Sequence, residues 1–253
     1  IVAAPLVNKK NHRHSVWNKK LAKLSFYDAI IIHSYAKVTK GNDRYGQMIS
    51  EESEGGNKKV AFGIYKNRAI DYLVNQYPKE VNAYEGIFNR PIWVTEWNLQ
   101  ISRTTGNTLL QSLFVAQYFL ELLSNPDLSA IELTTYHNLG GRDFGGSIFR
   151  NNNEVLEIQS TYYPLTLLGK IFDHDIVRIE KDYFEEIFTY NCFDENNKLI
   201  ISYDIDWNMN HFRYSLEKSG DKEVFQIYGS NNLFDIPNLK GVIGIETDLN
   251  IKY

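Results

Sequence analysis

Short apolar runs alternate with helix-like segments over the first two thirds of this 253-residue chain. The runs occupy residues 1–7, 27–35, 92–95 and 130–136. Residues 27–35 are apolar almost throughout and end in polar groups, which is typical of a strand buried on both faces of a parallel sheet. Strands that alternate with helices predict parallel strand–helix–strand architecture. We therefore predict four strand–helix units, of which the last ends near residue 172.

The segments between these runs carry apolar residues at three- and four-residue steps, which indicates amphipathic helices. The predicted helices begin near Trp17, Phe62, Asn107 and Ile158. Asn107 is the predicted N-cap of the third helix, because asparagine accepts hydrogen bonds from the free amides of a first helical turn. Asn125-Pro126 is its predicted end, since proline cannot continue a helix.

From about residue 172 the pattern changes to short alternating segments separated by turn-like clusters. These segments are residues 176–179, 187–193, 199–205, 211–216, 224–228 and 242–245. Their alternation predicts antiparallel β-structure in the form of a sandwich. The chain is thus predicted to have two domains, residues 1–172 and 173–253.

Composition narrows the functional classes. The formal net charge is −4, and no stretch concentrates lysine and arginine as a nucleic-acid-binding surface does. No run reaches the roughly 20 apolar residues that span a bilayer. The single cysteine, Cys192, excludes an internal disulfide and a cysteine-based metal site. The 17 tyrosines, 14 phenylalanines and 4 tryptophans fit either sugar-stacking surfaces or aromatic-rich strands.

Polar residues end three of the predicted strands, where parallel α/β folds carry their working groups. These residues are His33 and Tyr35, Glu96 and Asn98, and His137 and Asn138. A carboxylate at the end of an apolar strand is costly to bury unless partners hydrogen-bond it. Function is the usual reason to tolerate it, so Glu96 is the leading candidate for chemistry, with a structural ion pair as the alternative.

The segment Trp93-Val94-Thr95-Glu96-Trp97-Asn98 resembles the nucleophile strand of the clan A glycoside hydrolases, whose motif is Thr-Glu-Trp or Thr-Glu-Trp-Asn. That group includes arabinofuranosidase-like, β-xylosidase-like and agarase-like enzymes. Residues 27–35 are similar to the preceding barrel strand, which ends in His-x-Tyr, and residues 134–137 suit the last strand. The resemblance implies that residues 1–172 form the fifth to eighth strands of a (β/α)8 TIM barrel, followed by an accessory antiparallel β-sandwich.

The resemblance implies a secreted, periplasmic or cell-surface retaining glycoside hydrolase that cleaves a plant or algal polysaccharide or oligosaccharide by double displacement. Glu96 matches the nucleophile, His33 or Tyr35 would hydrogen-bond it or the sugar at the cleaved position, and no metal or organic cofactor is implied. The implied substrate-binding residues are His33, Tyr35, Trp97, Asn98, His137 and Arg142. Trp97 fits a stacking wall or packed core equally well. Arg142, in a glycine-rich loop, suits an acidic or sulfated sugar, with a solvated loop as the alternative.

The chain departs from the family pattern at one point. The family's acid/base belongs to an Asn-Glu pair on the fourth barrel strand, whereas no Asn-Glu pair precedes Tyr27, and Asn153-Glu154 follows the last predicted strand. We expect the acid/base in an N-terminal half-barrel segment, either upstream of Ile1 or on a separate chain. The alternatives are a carbohydrate-binding protein that has lost its acid/base, and a purely structural fragment.

Overall fold

A computed structural model describes seven parts of the chain: residues 1–7, 12–39, 58–100, 105–141, 146–152, 155–218 and 221–228. The chain divides into two compact units. The first unit contains residues 1–100 and 125–139, and the second contains residues 101–124 and 140–253. The domain boundary predicted at residue 172 stays a prediction.

A four-stranded parallel sheet forms the centre of the first unit. Its strands are β1 (Val2–Ala3), β2 (Ile30–Ala36), β3 (Ile92–Leu99) and β4 (Ile131–Tyr136), adjacent in the order in which they occur in the chain. This sequential order is what repeated right-handed strand–helix–strand crossovers produce. The predicted mixed α/β fold with a parallel sheet is confirmed. The closed barrel is not tested by these four strands.

Three α-helices belong to the first unit. They are α1 (His12–Leu21), α2 (Lys58–Asp71) and α3 (Tyr77–Phe88), and a π-helical segment, Tyr72–Gln76, joins the last two. The predicted helix near Phe62 is therefore longer than its periodicity indicated. It ends at Asn89, whose φ of 48° is left-handed, a conformation that asparagine tolerates better than most residues.

Strand β2 has two unlike faces, and the helices of the described ranges cover one of them. Ile30, Ile32 and Ala36 are buried on that face. Ser34 lies between them and hydrogen-bonds through its Oγ to the Tyr72 hydroxyl at 2.6 Å, so this face meets the helical layer. The other face carries Ile31, His33 and Tyr35, which are half-buried or exposed. The sheet therefore leaves one face open for a site.

The second unit contains two sheets. The smaller consists of β5 (Gly140–Gly141), β6 (Phe149–Asn152) and β7 (Val155–Ile158). The larger is antiparallel and five-stranded, in the order β12-β11-β10-β9-β8. Its strands are β8 (Arg178–Phe184), β9 (Ile187–Phe193), β10 (Leu199–Asp206), β11 (His211–Lys218) and β12 (Asp221–Tyr228). Predicted antiparallel β-structure is confirmed, whereas a second layer of a sandwich is not tested, and residues 242–245 lie outside the described residues.

Helix α4 (Leu109–Ser124) packs on one face of the five-stranded sheet. The indole Nε1 of Trp207 donates to Gln117 at 2.6 Å, and Lys181 and the Tyr190 hydroxyl both reach Glu121. Strand β9 turns Phe188, Tyr190 and Cys192 towards the buried side. A shorter helix, α5 (Tyr162–Leu168), continues into a 3₁₀ turn at Gly169–Asp173.

Two details of the sequence-based prediction are wrong in this unit. Asn107 is not the N-cap of α4, because its φ is 55° and its side-chain oxygen accepts from the Ser160 amide at 2.7 Å. Thr108 takes that place and accepts from the Gln111 amide. The β6–β7 hairpin was also missed, since its asparagine-rich sequence has weak strand propensity.

None of the helices in the described ranges has the length and apolar character needed to cross a membrane.

Candidate active site

A β-bulge in β3 sets the direction of the Glu96 side chain. Ile32 of β2 pairs with Val94, but His33 pairs with Glu96, so Thr95 is an extra residue on β3. In a regular strand, side chains two residues apart share a face, which would place Glu96 with the buried Val94. The bulge shifts this alternation by one residue. Glu96 consequently lies on the open face of the sheet, beside His33 and Tyr35.

The extra residue is held by the neighbouring strand. The Thr135 hydroxyl of β4 donates to the backbone carbonyl of Thr95. An irregular strand leaves backbone groups outside the ladder, and an unpaired carbonyl is costly to bury. Thr135 supplies the missing donor. Sequence reasoning did not identify Thr135, because a bulge leaves no mark in the apolar pattern of a strand.

Two side chains of β2 contact one oxygen of the Glu96 carboxylate. The Tyr35 hydroxyl donates to Oε2 at 2.7 Å, and Nδ1 of His33 lies 3.4 Å from the same atom. Neither of these contacts engages the second oxygen, Oε1. The Glu96 side chain is 36% exposed, so its carboxylate remains open to an approaching molecule. This arrangement fixes one carboxylate oxygen and leaves the other available.

The surroundings of Tyr35 favour the protonated form of its hydroxyl. Burial, reinforced by the hydrogen bond to Glu96 and the charge of that carboxylate, raises the pKa of Tyr35 well above its usual value. Ionisation would place a phenolate directly beside a carboxylate, which the repulsion between the two anions opposes. Tyr35 therefore keeps its proton and directs it at Glu96.

Trp97 and Asn98, which follow Glu96, are both buried. Trp97 is 2% exposed and packs edge-on against Tyr136, with ring centroids 5.1 Å apart. Asn98 donates from Nδ2 to the Tyr136 hydroxyl at 3.1 Å and also to the carbonyl of His137. Both residues thus bind β3 to the end of β4. This is the packed-core alternative for Trp97, and Tyr136 is a further residue that sequence reasoning did not single out.

The end of β4 borders the open carboxylate. The His137 ring lies edge-on to Tyr35, with centroids 6.1 Å apart. Nδ1 of His137 and Oδ1 of Asn138 are buried, and neither has a hydrogen-bond partner within the described ranges. Buried polar atoms in folded proteins are normally paired with protein, water or ligand. These two atoms are therefore available to hydrogen-bond with a bound molecule.

One predicted substrate-binding residue falls outside the part of the chain that the structure describes. Arg142 lies outside the described residues, as does the rest of its loop from residue 142 to 145. Among the polar residues at the carboxyl ends of the described strands of the first unit, Glu96 is the one carboxylate. No group of three His, Cys, Asp or Glu in the described part of the chain is arranged to hold a metal ion.

Comparisons with known proteins show similarity of fold without similarity of sequence. No family model matches the chain, and no curated protein matches it either. The solved structure of a thermostable GH51 α-L-arabinofuranosidase from Thermotoga petrophila RKU-1 superposes with a TM-score of 0.50 at 15% identity. The alignment covers 92% of this chain and 51% of the arabinofuranosidase, so the chain spans about half the length of that enzyme.

A second solved structure has the same degree of similarity. It is a family 39 glycoside hydrolase from the gut symbiont Bacteroides cellulosilyticus WH2, with a TM-score of 0.50 and 10% identity. The alignment covers 82% of this chain and 40% of that enzyme. These two structural neighbours are glycoside hydrolases of different families. At these identities, they establish the fold of this chain and nothing finer.

Proposed function

We propose that this chain carries the nucleophile of a retaining glycoside hydrolase and that Glu96 is that nucleophile. The single observation behind the proposal is the Glu96 carboxylate, exposed at the end of β3, with Oε2 held by Tyr35 at 2.7 Å and Oε1 free of that contact. The Thr-Glu-Trp-Asn motif and the glycosidase-like fold agree with it. The proposed substrate is a plant or algal polysaccharide or oligosaccharide.

The proposed chemistry is a double displacement at the anomeric carbon. Oε1 of Glu96 attacks that carbon as the bond to the leaving oxygen breaks, and a general acid gives its proton to that oxygen. The same group then takes a proton from water, whose oxygen attacks the anomeric carbon and releases Glu96. Retaining enzymes need the second carboxyl group about 5–5.5 Å from the first. We propose that it comes from residues outside those described.

The neighbours of Glu96 have distinct roles in this proposal. Tyr35 keeps the carboxylate in one orientation, so that the lone pairs of Oε1 point at the sugar. His33, with a side chain 51% exposed, is positioned to meet a sugar hydroxyl beside the nucleophile. The unpaired Nδ1 of His137 and Oδ1 of Asn138 offer further hydrogen bonds to the same sugar. Trp97 and Asn98 support these residues from the core.

Covalent trapping tests the nucleophile directly. Dinitrophenyl glycosides of 2-deoxy-2-fluoro-arabinofuranose and 2-deoxy-2-fluoro-xylose release a stable phenolate, which needs no proton from an acid. We expect a stoichiometric mass increase that peptide mapping places on Glu96. Because the acid is not required, the experiment works on this chain whether or not its acid/base partner is present.

Two variants control the trapping experiment. Glu96→Gln is nearly isosteric and should abolish the adduct while leaving the circular dichroism spectrum unchanged. Glu85→Gln replaces an exposed carboxylate of α3 in the same unit and should label like the parent. Labelling at another residue, or none with either sugar, would refute the assignment.

One observation favours a second candidate function. Because Glu96 is the one carboxylate at the carboxyl ends of the described strands of the first unit, the chain also fits a non-catalytic carbohydrate-binding protein on a glycosidase-like fold. In that case, calorimetry with arabino- and xylo-oligosaccharides would show binding that Glu96→Gln retains. Dinitrophenyl glycosides would then be neither cleaved nor trapped.

A further inference from the structure

The net charge of −4 conceals a local excess of positive charge near the start of the sequence. Residues 1–27 contain no aspartate and no glutamate, so all 31 of these acidic residues follow them. Six lysines and arginines lie within the same range: Lys9, Lys10, Arg13, Lys19, Lys20 and Lys23. The first two lie outside the described residues, and the other four belong to α1 or to the turn that follows it. A local field of one sign attracts partners of the opposite sign.

An exposed tryptophan lies between two of these cations on α1. Trp17 is 54% exposed, whereas Trp97 and Trp207 are buried in the core. Arg13 precedes Trp17 by four residues and Lys20 follows it by three, so the three side chains share one exposed face of the helix. Neighbours at these spacings have Cβ atoms about 5–6 Å apart. The face thus combines a flat apolar ring with positive charge on either side of it.

The lysines of α1 and its turn are available to a partner, and the helix itself is anchored. Lys19, Lys20 and Lys23 are exposed, and none of them forms an ion pair with a carboxylate of the described residues. On the opposite face of α1, Asn18 is 2% exposed and donates from Nδ2 to the Pro5 carbonyl at 3.0 Å. The cations therefore project from a helix whose other face is already held by the protein.

A lipid surface and a nucleic acid are both anionic, but neither suits this helix. A membrane-bound helix buries a continuous apolar face in the interface. The face of α1 opposite its cations is instead occupied by the protein, as the hydrogen bond of Asn18 shows. Nucleic-acid interfaces are extensive and strongly positive. The cations described above lie on and beside one ten-residue helix of an acidic protein.

An acidic sugar presents both of the features that this face can bind. The C–H groups of a sugar ring form an apolar face that stacks on a flat aromatic ring. A uronic acid carries its carboxylate directly on the ring, so a ring stacked on Trp17 places that charge beside the indole. Lysine is a point charge on a flexible stem, and Lys20 lies on the neighbouring turn of the helix. A sulfate is held further from the ring by its ester oxygen, so a uronic acid fits this spacing better.

We propose that the exposed face of α1 binds a polysaccharide that contains uronic acids, at a site separate from Glu96. Trp17 stacks on one sugar ring, and Arg13 and Lys20 bind the carboxylates of that sugar and its neighbours. Such binding holds the protein on an acidic polysaccharide whichever sugar meets Glu96. The proposal does not depend on the proposed function, since it uses none of the residues that contact Glu96.

Calorimetric titration with two matched probes tests the proposal. The first probe is tetragalacturonate, and the second is the same oligosaccharide with its carboxylates reduced to alcohols, which keeps the ring faces and removes the charge. Tetragalacturonate should bind at least about tenfold more tightly than the reduced probe, and salt at about 0.5 M should remove most of that difference. Equal affinity for the two probes would overturn the proposal.

Substitutions on α1 locate the site. Trp17→Ala should lower the affinity for tetragalacturonate about tenfold or more, and Lys20→Gln about three- to fivefold, because each removes one contact with the sugar. Trp17→Tyr keeps a flat ring and should retain the affinity within about threefold. Both side chains are exposed, so the circular dichroism spectrum of each variant should match that of the parent.

Exposed residues of the second unit supply the matched controls. Phe184 is 70% exposed but is followed by Glu185 and Glu186, so Phe184→Ala should leave the binding unchanged. Lys198→Gln removes one positive charge, as Lys20→Gln does, from an exposed lysine between β9 and β10, and it should also have no effect. Equal losses of affinity in the controls and in the α1 variants would contradict the proposed site.

Two further anions separate the proposal from its alternatives. Tripolyphosphate has charge but no ring, so equal affinity for it would reduce the site to a general attraction of anions and overturn the proposal. Phosphatidylserine vesicles that bind more tightly than tetragalacturonate, through Trp17, would make a lipid surface the partner and overturn it as well. Covalent trapping on Glu96 should be unchanged in every α1 variant, so this proposal and the proposed function fail separately.

Discussion

One inserted residue, Thr95, determines which face of the sheet carries the carboxylate of Glu96. Without it, the alternation of β3 would place Glu96 with Val94 against the helical layer, where a charge has no water and no partner. With it, Glu96 meets Tyr35, which donates at 2.7 Å. Thr135 satisfies the carbonyl of the inserted residue. Three residues on three adjacent strands thus set the position and the hydrogen bonding of the Glu96 carboxylate.

At this scale we predict the effect of Tyr35→Phe. The variant keeps the ring but removes a hydrogen bond to a charged group, which is worth about 1.5–3 kcal/mol. The rate of glycosylation by dinitrophenyl glycosides should fall about 10- to 100-fold, with KM changed far less, because Oε1 is no longer held towards the sugar. Stopped-flow release of dinitrophenolate measures the rate.

Tyr27→Phe is the matched control for that experiment. Tyr27 is 2% exposed in the same unit, and its hydroxyl donates to the Leu21 carbonyl at 3.0 Å. Its removal should reduce the free energy of unfolding by about 1 kcal/mol and leave the rate within about twofold. If both variants had the same rate, Tyr35 would have no specific role at Glu96.

The sequence was sufficient to select Glu96 but not to describe its neighbourhood. A carboxylate after an apolar strand is recognisable because burial of charge is costly. The burial of Trp97, by contrast, follows from a bulge that places it on the face of Val94, and that of Asn98 follows from its hydrogen bonds to the end of β4. The resemblance implied that His33 or Tyr35 hydrogen-bonds Glu96 or the sugar, whereas the meeting of both side chains at the one oxygen Oε2 depends on strand register, which short motifs do not determine.

At the scale of elements, a buried ionic cluster joins α4 to the five-stranded sheet. Lys181 of β8 reaches both oxygens of Glu121, at 2.9 and 3.0 Å, and the Tyr190 hydroxyl donates to one of them at 2.7 Å. The Glu121 side chain is 1% exposed. Burial, with the adjacent charge of Glu121, raises the pKa of Tyr190 well above its usual value. The cluster therefore holds a charge that α4 could not bury without the sheet.

We predict that Lys181→Met destabilises the protein strongly. Loss of one member of a buried ion pair leaves the other uncompensated and costs about 3 kcal/mol or more in the free energy of unfolding. The matched control is Lys170→Met, since Lys170 and Asp173 form an exposed pair at 3.3 Å, with side chains 52% and 61% exposed. That control should cost about 1 kcal/mol or less. Urea denaturation measures both, and equal losses would contradict a buried role for Lys181.

Elements with strong periodicity were predicted better than those with mixed signals. The strands and α4 could be located because the apolar residues on a buried face recur with the period of the strand or helix that carries them. The start of α4 was wrongly predicted at Asn107, because Asn107 and Thr108 are both suitable N-cap residues. Asn107 instead accepts a hydrogen bond from the distant Ser160 amide, and Thr108 is the N-cap. The ion pair between Glu121 and Lys181 could not be predicted from the sequence, because the two residues are distant in the chain.

At the scale of the whole molecule, alkaline pH should weaken the fold. Burial raises the pKa of Cys192 from 9.0 to about 12. The folded protein therefore retains a proton that the unfolded chain loses above pH 9.0, so unfolding releases protons in this window. Stability from this thiol is complete below pH 9.0 and is lost as the pH approaches 12.

The corresponding prediction concerns the slope of stability against pH. Between pH 8 and 10, the free energy of unfolding should fall, with a slope that approaches but does not exceed about 1.4 kcal/mol per pH unit for this one group. Cys192→Ala should flatten the curve over that range. Urea denaturation at closely spaced pH values measures both proteins. An identical slope in the variant would show that Cys192 does not contribute.

The path of the chain through its two units limits how this protein can be recombined. The chain leaves the first unit near residue 100, returns near 125 and leaves again near 140. Helix α4 therefore belongs to the second unit, although it lies in the chain between β3 and β4 of the first. A cassette exchanged at a single crossover point would carry part of one unit into the other. Homologous exchange, in evolution or in the laboratory, therefore requires three coordinated junctions, and α4 has to be inherited with the five-stranded sheet that it packs against.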